Sequence, residues 1–154
     1  DLIVQLGKHP DEWEKLKADP SRAAKVVEEG LRWASPNQGL FRIVRADTEV
    51  AGTQIPKGST IWVMYGSADH DDRVFDDPEA FDPDRERLNN HIAFGHGIHF
   101  CLGAALARLE AVVALKVLAE RVDSIGVVEP DSLRYGPSFI LRGLEGVQLD
   151  LTYR

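Results

Sequence analysis

The sequence predicts a mainly α-helical fold with small β-sheets, an α+β architecture. Three observations carry this. Segments 10–35 and 101–122 repeat apolar residues at helical spacing. Between them, 40–65 is rich in β-branched and aromatic residues broken by turn signals. The stretch 66–100 is dense in Asp, Pro and Asn without a sustained period, and so long a loop in a compact domain usually carries function.

Residues 1–8 form a short apolar helical stub that stops at His9-Pro10. Pro10 to Lys17 places acids early and lysines late, as the helix dipole favours. A second helix starts at Asp19-Pro20-Ser21, aligns Ala23, Ala24, Val27, Leu31 and Ala34 on one face, and stops at Ser35-Pro36. Phe41–Val44 and Thr48–Val50 read as strands about a turn near Ala46-Asp47, and Thr60–Tyr65 as a further strand after the Ile55–Gly58 turn. One short helix is expected near Asp71–Val74 in the 66–100 meander. Residues 101–122 make the strongest helix, with Leu102, Leu106, Leu109, Val113 and Val117 as its buried face, widened by Ala105 and Val112. The tail, 125–154, holds short β segments with turns at Gly136-Pro137, Gly143 and Gly146.

At 154 residues the chain is one domain's worth, with room for a real core. A formal charge of −7 argues against nonspecific nucleic-acid binding, which needs a basic face. No apolar run approaches the roughly 20 residues of a membrane span. A lone cysteine excludes an internal disulfide and fits a reducing cytoplasm. The opening Asp1–Leu6 reads like the end of a helix already under way, so further sequence is expected upstream.

That cysteine lies in Phe94-Gly95-His96-Gly97-Ile98-His99-Phe100-Cys101-Leu102-Gly103, directly before the strongest helix. A thiol opening a helix meets the positive end of the dipole and free first-turn amides, which favour a thiolate. Such a position suits a metal ligand or a nucleophile, against the plain alternative of a buried structural cysteine. Gly97 permits a tight turn beside a flat ligand, Gly103 permits close packing at the helix start, and Phe94 can shield the sulfur. A tetrahedral zinc site from His91, His96, His99 and Cys101 is a further reading, though the two nearer histidines converge poorly with Cys101 in so short a loop. Nucleophilic chemistry needs a positioned base.

The run resembles the haem-binding signature of the cytochrome P-450 superfamily, Phe-x-x-Gly-x-(basic)-x-Cys-x-Gly, with every fixed position filled and His99 at the basic place. The resemblance implies haem b with Cys101 as the axial thiolate, which pushes electron density towards iron. Phe94, Gly95, Gly97 and Gly103 then lie about the haem. The family also carries Glu-x-x-Arg on the helix before its first sheet, closed by an Arg from the later loop. Here Glu29, Arg32 and Arg85 occupy those places, which implies a structural triad for folding and haem retention. Arg42, at the start of the first strand, and His99 are implied as propionate partners. Phe41, Ile140 and Leu141 fall where the family lines its substrate pocket.

The resemblance spans the whole chain but only the C-terminal part of the family. The long distal helix, with an acid or amide next to a Thr, is not found before Leu2, and residues 1–8 match its last turns. Ala68-Asp69-His70-Asp71 stands where Ala-Asn-Arg-Asp is common, a departure expected to weaken loop contacts at most. The activity implied by the resemblance is that of a haem-thiolate monooxygenase of the soluble bacterial type. It would act on an apolar substrate with electrons from a ferredoxin- or flavodoxin-type donor. This chain alone is expected to lack turnover without the N-terminal half, and to self-associate through apolar faces. The competing expectation is a truncated remnant acting as a haem-binding or interaction module.

Overall fold

The computed structural model describes residues 1–154. Helices α1 (Leu2–Lys8), α2 (Pro10–Ala18) and α3 (Ala23–Ala34) lead into β1 (Leu40–Ile43), β2 (Thr48–Val50), β3 (Thr53–Ile55) and β4 (Thr60–Val63). Then come the short α4 (Tyr65–Ala68), the meander, α5 (Ala104–Arg121), β5 (Val122–Val127) and β6 (Leu149–Tyr153). No helix is long and apolar enough to cross a membrane. Pro10 opens α2, where its missing N–H costs nothing, and Lys15 and Lys17 lie in its last turn. Ser35 ends α3 in the left-handed region (φ 36°) directly before Pro36.

The main core forms where α2, α3, α5 and β5 meet. Trp13, Leu16, Val26, Val27, Leu115 and Val122 are its centre. Helix α1 closes on α3 at Gly30, where an added Cβ would stand 2.6 Å from Leu2 Cδ1.

The strands form three separate antiparallel pairs rather than one sheet. β1 pairs with β4, Leu40 opposite Val63 and Ile43 opposite Thr60, and the β2–β3 hairpin is inserted between them. The expected turn near Ala46-Asp47 therefore does not join paired strands. Asp47 Oδ1 instead accepts from Lys57 N at 2.7 Å, tying the base of the inserted hairpin. Ala51 and Gly52, both at positive φ (47° and 80°), close that hairpin with the twist its strands need.

Three further expectations are corrected. The short helix is α4, at Tyr65–Ala68 rather than Asp71–Val74; Asp71 only closes a turn, accepting Val74 N and Phe75 N at 3.0 and 2.9 Å. The strongest helix begins at Ala104, so Cys101 precedes its N-cap Gly103 instead of opening it. Its expected buried face is also the wrong one. Ala104, Leu115 and Ala119 are buried, whereas Leu106, Leu109, Val113 and Val117 are between 40% and 60% exposed and Leu102 is fully so. The helix is apolar on both sides, and periodicity alone does not say which side α3 takes.

Candidate functional site

Two neighbouring structures make the site: a buried polar node and the cysteine loop it supports. In the node, Glu29 and Arg32 have fully buried side chains one helical turn apart on α3. Arg32 Nε and Nη2 donate to the two Glu29 oxygens at 2.7 and 2.8 Å. Arg85 Nε adds contacts of 3.1 Å to both oxygens, and Asp82 N one of 2.9 Å. The spare guanidinium donors go to the meander backbone. Arg32 reaches Asp69 O, Pro78 O and Ala80 O, and Arg85 reaches Asp76 O, Asp77 O and Ala80 O. Buried charge is tolerable only when satisfied this fully.

Asp69, also fully buried, extends the node towards the loop. Its Oδ2 accepts from Ser35 Oγ and its Oδ1 from Ile92 N, both at 2.6 Å. Burial pushes this carboxyl up from its ordinary value, against those two hydrogen bonds. His70 faces Glu79 Oε1 through Nδ1 at 3.0 Å and Trp33 O through Nε2 at 3.1 Å.

The loop itself is held by short turns. Cys101 N donates to Phe94 O at 2.9 Å, Gly95 N to Ile92 O at 2.7 Å and Phe100 N to Gly97 O at 3.0 Å. Gly95 and Gly97 sit at φ 74° and 68°, the left-handed region that favours glycine. A Cβ at Gly97 would meet nothing within 4 Å, so that face of the loop is open. Ala104 N donates to Cys101 O at 3.2 Å, carrying the loop into α5. Cys101 is exposed in this chain.

Cys101, His99, Gly95, Phe94 and Leu141 line one cleft of about 400 Å³, with Leu31, Pro36, Asn37, Leu40, Tyr65 and Ala93. Gly97 and Gly103 shape the loop without lining that cleft. Arg42 stands one residue away: its Nη1 donates to Phe41 O at 2.9 Å, and its Nη2 lies 3.5 Å from the Tyr65 hydroxyl on the wall. Phe41 and Ile140 are not on the wall. Phe41 packs with Trp62 and Phe139, ring centroids 5.9 and 6.3 Å away, on the surface. The Ile140 carbonyl accepts Gln38 N at 2.7 Å, and Leu141 bridges to Asn37, which brings the tail to the cleft.

No group of three or more His, Cys, Asp or Glu side chains is arranged to hold a metal ion. His91 is engaged elsewhere, with Nε2 2.8 Å from Glu28 Oε2 and Nδ1 accepting from Ala93 N at 3.3 Å. Sequence reasoning passed over Tyr65, Ala93, Glu28, His91 as a loop anchor, and Arg108. Only Glu28 offered a signal, as the neighbour of Glu29 on a helix already singled out.

Fold and site together describe a loop that presents one thiol to an apolar cleft, beside a meander clamped by buried arginines. The sequence profile of the cytochrome P-450 family matches residues 21–122, and the chain belongs to that family. It is 41% identical over 97% of its length to the cytochrome P-450 CYP199A2 of Rhodopseudomonas palustris, covering 36% of that protein. It is 37% identical over 93% of its length to the 6-deoxyerythronolide B hydroxylase of Saccharopolyspora erythraea, covering 35%. The solved structure of CYP109Q5 from Chondromyces apiculatus superposes with a TM-score of 0.93 at 40% identity, over 99% of this chain and 39% of that one. The chain thus spans little more than a third of the length of the curated relatives it matches.

Proposed function

We propose that this chain carries the thiolate side of a haem-thiolate monooxygenase. The observation that carries the reading is the convergence of Cys101, His99, Phe94 and Gly95 on one apolar cleft, with Arg42 one residue behind its wall. Haem b suits this donor set: an exposed thiol for iron, an open glycine loop beside it, and two cationic or ionisable side chains for carboxylates. When bound, the haem supplies dioxygen activation, one oxygen atom entering the substrate and the other leaving as water. Cys101 would hold the iron through its sulfur and would supply it with electron density. Arg42 and His99 would hold the propionates, and the apolar wall of Leu31, Leu40 and Leu141 would exclude water and favour an apolar substrate. Glu29, Arg32 and Arg85 act on the fold alone: they fix the meander on which the loop rests.

Electrons come from a ferredoxin- or flavodoxin-type donor, and a cytoplasmic setting suits a single unpaired thiol. Turnover requires the rest of a full-length protein to cover the open side of the cleft, so this chain alone binds haem without oxidising substrate. The test is a haem titration followed by the reduced carbon-monoxide spectrum. A strongly red-shifted Soret band supports the thiolate site, and its absence rejects it. Product formed by this chain alone, with electrons supplied, would overturn the requirement for the remainder. A red-shifted band with no product, even when the remaining two thirds of a relative is supplied in trans, would favour a haem-binding module without catalysis.

A further inference from the structure

We propose that Glu28, His91 and Arg108 are positioning residues that set the place of the Cys101 sulfur through Phe94; this deepens the thiolate assignment above and rests on it. Glu28 is the centre of the group. Its Oε1 accepts Arg108 Nε at 2.6 Å, and its Oε2 accepts both Arg108 Nη2 at 2.9 Å and His91 Nε2 at 2.8 Å. Three elements meet there: α3, the start of the cysteine loop and the first turns of α5. Burial alone would raise the Glu28 carboxyl, but the hydrogen bonds from His91 and Arg108 and the Arg108 charge outweigh it and hold it down at about 2.

Each arm of this group ends on the loop. On one side His91 Nδ1 accepts Ala93 N at 3.3 Å, so a ring with its proton on Nε2 satisfies both partners at once. On the other, the bidentate pair fixes the Arg108 guanidinium, whose Cζ lies 4.7 Å from the centre of the Phe94 ring. Phe94 is the residue whose carbonyl receives the Cys101 amide at 2.9 Å. The route from Glu28 to the thiol therefore runs through one cation–π contact and one backbone hydrogen bond. The group is distinct from the Glu29 node but meets it at the loop stem, where Asp69 Oδ1 accepts Ile92 N beside His91. The node holds residues 69–85 of the meander, whereas Glu28 ties the stem, through His91, to the exit of the cysteine loop, through Arg108.

The test is amide hydrogen exchange on the full chain, in the unmodified form and in the variants Arg108→Met and Arg108→Lys. Met keeps the apolar stem over Phe94 without charge; Lys keeps the charge without the fork or the plane. The expected result is exchange at least about tenfold faster at the Cys101 and Ala93 amides in Arg108→Met, a smaller rise in Arg108→Lys, and unchanged exchange at Leu115 and Ala119 farther along α5. Unchanged exchange at Cys101 overturns the proposal. An equal rise at Leu115 and Ala119 overturns it too, because Arg108 would then be an ordinary support of the fold. The second readout is the reduced carbon-monoxide spectrum of haem-loaded protein. Arg108→Met should divide between thiolate and neutral-thiol bands where the unmodified chain shows the thiolate band alone. The exchange measurement needs no haem. A chain without a thiolate band, in which Arg108→Met still frees the Cys101 amide, would reject the cofactor assignment and keep the positioning role.

Discussion

The Glu29–Arg32–Arg85 node and the Cys101 loop lie close together and obey opposite rules. In the node every charge is buried and every donor has a partner, so the meander has one arrangement. The loop is exposed from His96 to Gly103, runs on two left-handed glycines, and presents its thiol to an open cleft. The difference teaches where each kind of residue belongs. Structure that must not move is built from saturated buried polar groups, and structure that must receive a ligand is left open and anchored from behind.

Mutations sharpen that contrast by degrees. The largest effect is expected from Arg32→Met. It leaves the buried Glu29 carboxylate and three meander carbonyls without their main donor, and should cost about 3–5 kcal/mol, seen as a lowered urea midpoint. A loss below about 1 kcal/mol would mean that Arg85 alone suffices.

Next comes Glu28→Gln, expected to cost about 1–3 kcal/mol by leaving Arg108 unpaired. Its pH signature is specific. The Glu28 pKa in the folded chain, about 2, lies below its ordinary 4.5. Its stabilisation is therefore complete above the ordinary value and lost as pH falls through about 2. Subtracting the Glu28→Gln stability curve from that of the unmodified chain should give a difference that shrinks between pH 4.5 and 2. A flat difference would contradict the ion-pair account.

Cys101→Ser should leave stability within about 0.5 kcal/mol, because the side chain is exposed, while abolishing any thiolate band. A large loss of stability would place the thiol in the fold rather than the site. The smallest change in stability is expected from Leu106→Lys with Leu109→Lys on the exposed face of α5, again within about 0.5 kcal/mol. Sedimentation should show any self-association of the chain weakened by this pair; unaltered association would point to another face.

Much of this site is legible in the residues alone. The spacing from Phe94 to Gly103 is a local pattern in which residue type and separation point to a chemistry, whereas the Glu29–Arg32 pair alone reads as a surface pair and gains a role only from the family resemblance. The walls of the cleft are not legible in that way. Tyr65 and Ala93 have no local signature and reach Cys101 only because α4 and the Asp69–Ile92 bond fold the meander back. Phe41 carries an apolar strand signal equal to that of Leu40, yet the alternation of β1 puts Leu40 on the wall and Phe41 with Trp62 and Phe139 on the surface.

By itself, the sequence determined where the longer helices lie and the spacing of the cysteine loop, since these depend on neighbours within a few positions. Only the tertiary structure decided which side of α5 is buried, that β1 pairs with β4 across an inserted hairpin, and that Glu28 rather than solvent takes His91 and Arg108. The physical reason is the same in each case. A doubly apolar helix, a strand of ordinary alternation and a surface-like Glu are all compatible with several local fates. Only the competition among distant partners for burial and hydrogen bonds selects one.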